Sequence, residues 1–269
     1  MTHPLDQAIA LTPSGPDTFT GATSPNYANM VGPFGGVIAS VLLQAPLLHP
    51  SRLGDPVALT VNFAGPIADG AFTITARAAR TNRSTQHWIM ELRQGDLVGA
   101  TATAVFAARR DTWSTQEARP PSPMPPAEQL PRFTAARRIT WARCYDMRFA
   151  EGELPIAMDG IEQPEARSRL WVRDDPPRPL DFPALAALCD SFFPRIYIKR
   201  RVAAPIGTVS LTCFFHADAA ALASQGERAM IGTARATRYH NGYFDQSAEL
   251  WTDDGLCLAN SHQIVYYRD

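Results

Sequence analysis

Two tandem α+β halves, each an antiparallel sheet wrapped around one buried helix, are what this sequence predicts. Three observations carry the expectation: a repeated run of three strands, two helix segments apolar almost all round, and a proline-rich break between the copies. A chain of 269 residues fits two small related units, being long for one domain and short for two unrelated ones of about 100–200 residues each.

The repeat comes first because it fixes the architecture. Residues 74–109 read ITARAARTNRSTQHWIMELRQGDLVGATATAVFAAR, and residues 231–268 read IGTARATRYHNGYFDQSAELWTDDGLCLANSHQIVYYR. Each contains three runs of alternating polar and apolar residues, the period of a strand with one buried face. The runs break at Thr81-Asn82-Arg83 and Gly95-Asp96 in the first copy, and at His240-Asn241-Gly242 and Asp253-Asp254-Gly255 in the second. Such breaks signal hairpins, so each half ends in a three-strand meander. A further strand is expected upstream of each meander, over 57–63 and 208–215. Ahead of those lie the helices, 36–45 and 182–193. Their apolar residues go nearly all round, as in a helix enclosed on every side. Asp181 is placed to cap the second, with Pro183 in its first turn. Fainter strands are expected at 18–27, 144–149 and 168–173. Residues 119–126, RPPSPMPP, have too much proline for a strand or helix interior and read as an extended linker. The expected division is 1–115, a linker at 116–133, and 134–269.

Composition narrows the function classes. With 45% hydrophobic residues and 25 basic against 26 acidic ones, the chain has matter for a core and no net field to hold nucleic acid or an anionic membrane. Cys144, Cys189, Cys213 and Cys257 form no CxxC pair and sit among apolar residues, as buried reduced thiols do. The N-terminus lacks the basic-then-apolar build of a signal peptide and no apolar run is long enough to span a bilayer, so a cytoplasmic location is expected. GxSxG, P-loop, GxGxxG and HExxH motifs are all missing. The histidines have no metal-ligand spacing, and neither metal nor cofactor is expected.

Three residues stand out as candidate chemistry. Asp190 is ionisable within ALAALCDSFF, an otherwise apolar helix, and a buried carboxylate must be compensated. The bland alternative is a carboxylate reaching water near the helix end. Gln263 shares a face of the last strand with Cys257, Ala259, Ser261 and Val265. Its first-half counterparts on that face are Val98, Ala100, Ala102, Ala104 and Phe106, small in the middle as a face pressed on a helix should be, so the repeat places an amide where the first half has Ala104. The alternative is a satisfied core amide. Thr208 opens its strand with Ser210, Thr212 and Phe214 on one face, and alternation alone does not say which face looks inward.

A sheet around one apolar helix is the hotdog fold, and tandem copies make a double hotdog. Phe34-Gly35-Gly36-Val37 at the first helix, and Leu170-Trp171-Val172-Arg173 followed by a proline-rich turn and the second helix, resemble the acyl-CoA thioesterase II family, over roughly 34–267. That resemblance implies hydrolysis of acyl-CoA to free acid and CoA, without cofactor. It also implies roles by position: Asp190 as base, with Thr208 and Gln263 fixing a water that attacks the thioester. The first half lacks the Asp and carries Ala104 for the Gln, so one site per chain is expected. Amides at Gly35 and Gly36 are expected to face the oxyanion. The basic run at 195–201 offers Arg195, Lys199 and Arg200 to the CoA phosphates, a solvated loop being the alternative. After His216 the family continues Arg-Pro, whereas this chain reads Ala217-Asp218-Ala219-Ala220. Two other readings share the fold: an acyl-thioester hydratase or dehydratase, which would pair an acid with a histidine, and a non-catalytic acyl-binding module. A homodimer is expected by analogy.

Overall fold

The computed structural model describes residues 2–134 and 139–268. Residues 135–138, which fall in the second half as divided above, lie outside it, as do residues 1 and 269. The first half runs α1 (Pro4–Ala8), β1 (Thr12–Gly15), β2 (Thr18–Ala22), α2 (Gly35–Leu48), β3 (Asp55–Phe63), β4 (Ala71–Thr81), β5 (Thr85–Gln94) and β6 (Leu97–Ala107). The second runs β7 (Tyr145–Glu151), β8 (Ser168–Asp174), α3 (Phe182–Leu188), α4 (Arg195–Arg200), β9 (Ile206–Phe215), α5 (Ala219–Gln225), β10 (Met230–Arg235), β11 (Tyr239–His240), β12 (Tyr243–Trp251) and β13 (Cys257–Tyr267).

The strands form one antiparallel sheet. Its order is β1-β2-β4-β5-β6-β3 through the first half and β9-β13-β12-β10-β8-β7 through the second, with β11 paired to β12. The second copy is thus the first traversed backwards from a seam where β3 pairs with β9. At that seam the hydroxyls of Thr60 and Thr212 lie 3.0 Å apart. Both meanders form as the repeat predicts. Asn241 and Gly242 sit at φ 48° and 80°, the left-handed pair that a two-residue hairpin with the sheet's own twist requires.

The helices lie inside the curled sheet and against each other. Alternation on β6 turns Ala100, Ala102, Ala104 and Phe106 inward, all buried, and their small size lets α2 approach. Val41, Leu42 and Leu43 of α2 are also buried, each worth about 1.5–3 kcal/mol. Between α2 and α3 there is almost no gap. Ser40 Oγ donates to Pro183 O at 2.6 Å, and a Cβ on Gly36 would stand 2.6 Å from Ala187 O. Asp181 caps α3 by accepting from Ala184 N–H at 2.9 Å, as its sequence position requires.

The structure departs from the sequence expectations in several places. The strand expected over 18–27 ends at Ala22, and Pro25–Tyr27 form a 3-10 turn, since Pro25 has no N–H for a ladder. Helix α2 extends past the expected segment to Leu48, with Pro46 in its last turn. The proline-rich segment is no free tether. It straps the sheet at β8, where Trp171 Nε1 donates to Pro125 O at 2.8 Å and Arg169 Nη1 to Pro123 O at 3.1 Å. All four cysteines are free as expected, but only Cys144, Cys189 and Cys213 are buried, Cys257 being half-buried.

Candidate active site

Asp190 lies in the turn after α3 and not within the helix expected to run to residue 193. Cys189 closes the helix, and the Asp190 N–H turns back to Ala187 O at 3.1 Å. Phe193 precedes Pro194, which biases it toward extended backbone, so the chain leaves its helical path in the turn before. That exit aims the Asp190 carboxylate at the N-terminus of α2, close enough to the Gly36 N–H for that group to favour its ionised form. Gln263 Nε2 donates to its Oδ1 at 2.8 Å. Burial dominates its electrostatics and pushes the carboxyl up to about 7; the two donors pull in the opposite direction.

Gln263 faces inward on β13, buried with Ala259, Ser261 and Val265 as alternation predicts. Ser261 Oγ donates to Cys189 O at 3.0 Å and so ties this strand to the end of α3. Thr208 arrives by a device the alternation hides. On β9, Leu211 pairs with Gln263 and Ser210 with Ile264, yet Thr208 pairs with Val265. Val209 and Ser210 together oppose Ile264, which is a β-bulge. Without it Thr208 would share the outer face with Thr212 and Phe214; with it Thr208 turns inward. Its Oγ1 lies 3.5 Å from Gln263 Oε1, at the limit of a hydrogen bond.

These groups border a cavity of about 600 Å³ between the halves. Phe34, Ile38, Phe63 and Ile67 line it from the first half, and Phe192 and Val265 from the second. Among the described residues Asp190 is the only charged side chain on its wall, and no histidine is there. Gly35 lies beside the carboxylate, where a Cβ would stand 2.7 Å from Asp190 Oδ2.

The expected phosphate-binding run is arranged otherwise. Arg195 is fully buried, because α4 packs Arg195, Ile196, Tyr197 and Ile198 inward. Lys199 pairs with Glu162 at 3.1 Å and donates to Gln163 O at 2.6 Å, and Arg200 ends the helix. None of the three lines the cavity. The Gly36 amide lies on the side of α2 that faces Asp190, whose ionised form it favours.

One cavity residue escaped the sequence analysis. Gln246 is buried on the inward face of β12 with Phe244, Ala248 and Leu250, lines the cavity and stands opposite Gln263. Its signal in the sequence is the same alternation that marks Gln263, with Trp88 as its first-copy counterpart. No set of three or more His, Cys, Asp or Glu side chains is arranged to hold a metal among the described residues.

Fold and site define a double hotdog with a polar cluster around Asp190 set into a largely apolar cavity. Models of the acyl-CoA thioesterase N-terminal and C-terminal domains match residues 24–107 and 116–267. The chain belongs to the acyl-CoA thioesterase family and is a thioester hydrolase of that family. A conserved protein of unknown function with hot dog fold from Alicyclobacillus acidocaldarius is 46% identical to it, with all of this chain and 99% of that one covered at a TM-score of 0.94. The structure of an acyl-CoA thioesterase II from Mycobacterium marinum shares the fold at 16% identity, 98% of each chain and a TM-score of 0.76. More distantly similar is the dehydratase domain of PpsC from Mycobacterium tuberculosis, in complex with C12:1-CoA, at 14% identity, full coverage of both chains and a TM-score of 0.55. No curated protein matches the chain in sequence.

Proposed function

We propose that this chain hydrolyses fatty acyl-CoA to free acid and CoA by activating a water with Asp190, which Thr208 and Gln263 help to fix. The observation that carries this reading is a carboxyl raised to about 7 by burial, hydrogen-bonded to Gln263 on the wall of an apolar cavity. A base poised near the working pH can accept a proton from water without being permanently protonated or too weak. The Gln263 bond to Asp190 leaves Oε1 directed at Thr208, so an amide and a hydroxyl flank the water. The apolar lining suits an acyl chain, and the lack of charge elsewhere on the wall leaves the CoA phosphates outside. A dehydratase would need a histidine beside the acid, and none lines the cavity among the described residues.

The same reading has the enzyme act in the cytoplasm, in fatty acid metabolism, as a homodimer. Four free cysteines suit a reducing compartment. Phe214, Tyr243, Ile264 and Tyr266, half-exposed on the outer face of β9, β12 and β13, suit a dimer contact.

The test is release of free thiol from acyl-CoAs of graded chain length across pH 5–9. The expected rate rises with pH, because the base must be ionised, and levels off above about 7. A rate flat through that range would remove Asp190 from the role of base. Absence of release at every chain length would favour an acyl-binding module.

A further inference from the structure

Arg195 carries a charge that the hydrolytic scheme has not used. Its guanidinium is fully buried, and every acceptor it meets is neutral. Nε donates to Phe193 O at 2.9 Å and to Gln246 Oε1 at 3.1 Å, and Nη1 to Ala166 O at 3.0 Å and Ser168 Oγ at 2.6 Å; Nη2 also reaches Phe193 O. No ion pair joins it among the described residues. An uncompensated guanidinium in an interior is costly, and burial pulls its pKa down to about 10.

That charge reaches the cavity through one amide. Gln246 lines the cavity and stands opposite Gln263 on the neighbouring strand, a pairing that sets the two Cβ atoms about 5 Å apart. Donation from Arg195 to Oε1 fixes the orientation of the carboxamide, so Nε2 must point the other way. One of its N–H groups approaches Phe192 O at 3.4 Å. The second has no acceptor among the described residues. A charged donor on the oxygen side of an amide also strengthens the N–H on the far side.

Thioester hydrolysis requires such a group. Negative charge grows on the carbonyl oxygen as water adds, and donors already aimed there supply much of the rate. The Gly36 amide faces Asp190 and favours its ionised form. We infer that Gln246 Nε2 donates to the thioester carbonyl oxygen in the transition state, with Arg195 behind it as a positioning residue whose charge no carboxylate cancels. This inference rests on the hydrolase reading above. The water oxygen bonds to the carbonyl carbon while its proton passes to Asp190, and the carbonyl π pair moves onto the oxygen facing Gln246. When that pair returns, the C–S bond breaks, and the sulfur leaves with the proton from Asp190 as free thiol.

The experiment compares wild type with Gln246→Met and Gln246→Glu on the best acyl-CoA of the panel. The methionine keeps the length and removes the N–H. It is expected to lower kcat about 10²–10³-fold with KM within about twofold, and to leave the Kd for an unreactive thioether analogue unchanged. The glutamate pairs with Arg195 and keeps the fold at least as stable, but turns a carboxylate toward the developing oxyanion, so its kcat falls further still. A residue that only fills space predicts the reverse, glutamate being tolerated. Arg195→Lys is expected to lower kcat about tenfold in the wild-type background and not at all beside Gln246→Met. The inference is overturned by kcat within threefold of wild type in Gln246→Met, by a loss confined to KM, or by an Arg195→Lys effect that persists without Gln246. If Gln246→Met does not fold, the glutamate variant decides the matter. Wild type that releases no thiol sinks the hydrolase reading itself, whereas an active wild type with an active Gln246→Met sinks only this inference.

Discussion

Asp190→Asn is expected to do two opposite things: lower kcat for thioester hydrolysis at least a hundredfold, the scale for loss of a positioned base, and stabilise the fold at alkaline pH. The second effect follows from the sign of the shift. In the unfolded chain the carboxyl titrates near its ordinary value of about 4; in the folded chain it titrates at about 7. Between those values the folded state binds the proton that the unfolded state has released. Stability therefore drains away as pH rises from about 4, and the full penalty stands above 7. It amounts to at most about 4 kcal/mol, and the cavity's solvent reduces it. An asparagine cannot ionise and escapes the penalty. It does lose one acceptor facing Gly36 N–H or Gln263 Nε2, which offsets part of the gain. Urea unfolding at pH 5 and pH 8.5 should thus show a variant gaining on wild type by about 1–3 kcal/mol between the two conditions. Asp174, also pushed up to about 7 by burial, is common to both proteins and drops out of the difference. A difference in stability that does not change with pH would contradict the assigned state of Asp190.

The second large effect separates two adjacent glycines. At Gly36 a Cβ would meet Phe34 Cε1 at 2.4 Å and Ala187 O at 2.6 Å. The second of these is backbone, so Gly36→Ala must push α2 off α3. A loss of about 3 kcal/mol is expected, the upper end of ordinary overpacking, against a helix-propensity gain of about 1 kcal/mol. At Gly35 the nearest atom is Asp190 Oδ2 at 2.7 Å, followed by Phe63 Cζ at 3.3 Å. Here the base must give way while the helices keep their distance. Gly35→Ala should leave the melting temperature within a few degrees of wild type and cut kcat ten- to a hundredfold, the scale of a displaced catalytic group. Measuring Tm and kcat on both variants checks the contrast. Equal profiles would mean that the two glycines serve the same packing purpose.

Much of this was legible in residue order, for identifiable reasons. The meanders announced themselves because a two-residue period with hairpin breaks is a local property, and the duplication displayed it twice. Gln263 was legible because the repeat supplied its own control, Ala104, at the same place on the same face. Asp190 was legible as an anomaly of polarity, and its position outside the helix was written in Pro194, whose bias against helical backbone at Phe193 outweighs the apolar run that suggests a longer helix. Thr208 was opaque. Its inward turn depends on the bulge at Val209 and Ser210, a pairing between strands that no alternation within one strand records. Arg195 misled for a related reason. A run of basic residues looks like surface, and only the docking of α4 shows that its first residue is enclosed by carbonyls.

The register of the two meanders has a consequence for how the copies divide their labour. Where the second half sets Gln246 opposite Gln263, the first sets Trp88 opposite Ala104. The indole of Trp88 is buried against Phe106 and His49, whereas Gln246 lines the cavity. The first copy thus presents an aromatic and a small residue where the second presents two amides. Substitutions at equivalent positions should therefore register as stability in the first copy and as turnover in the second.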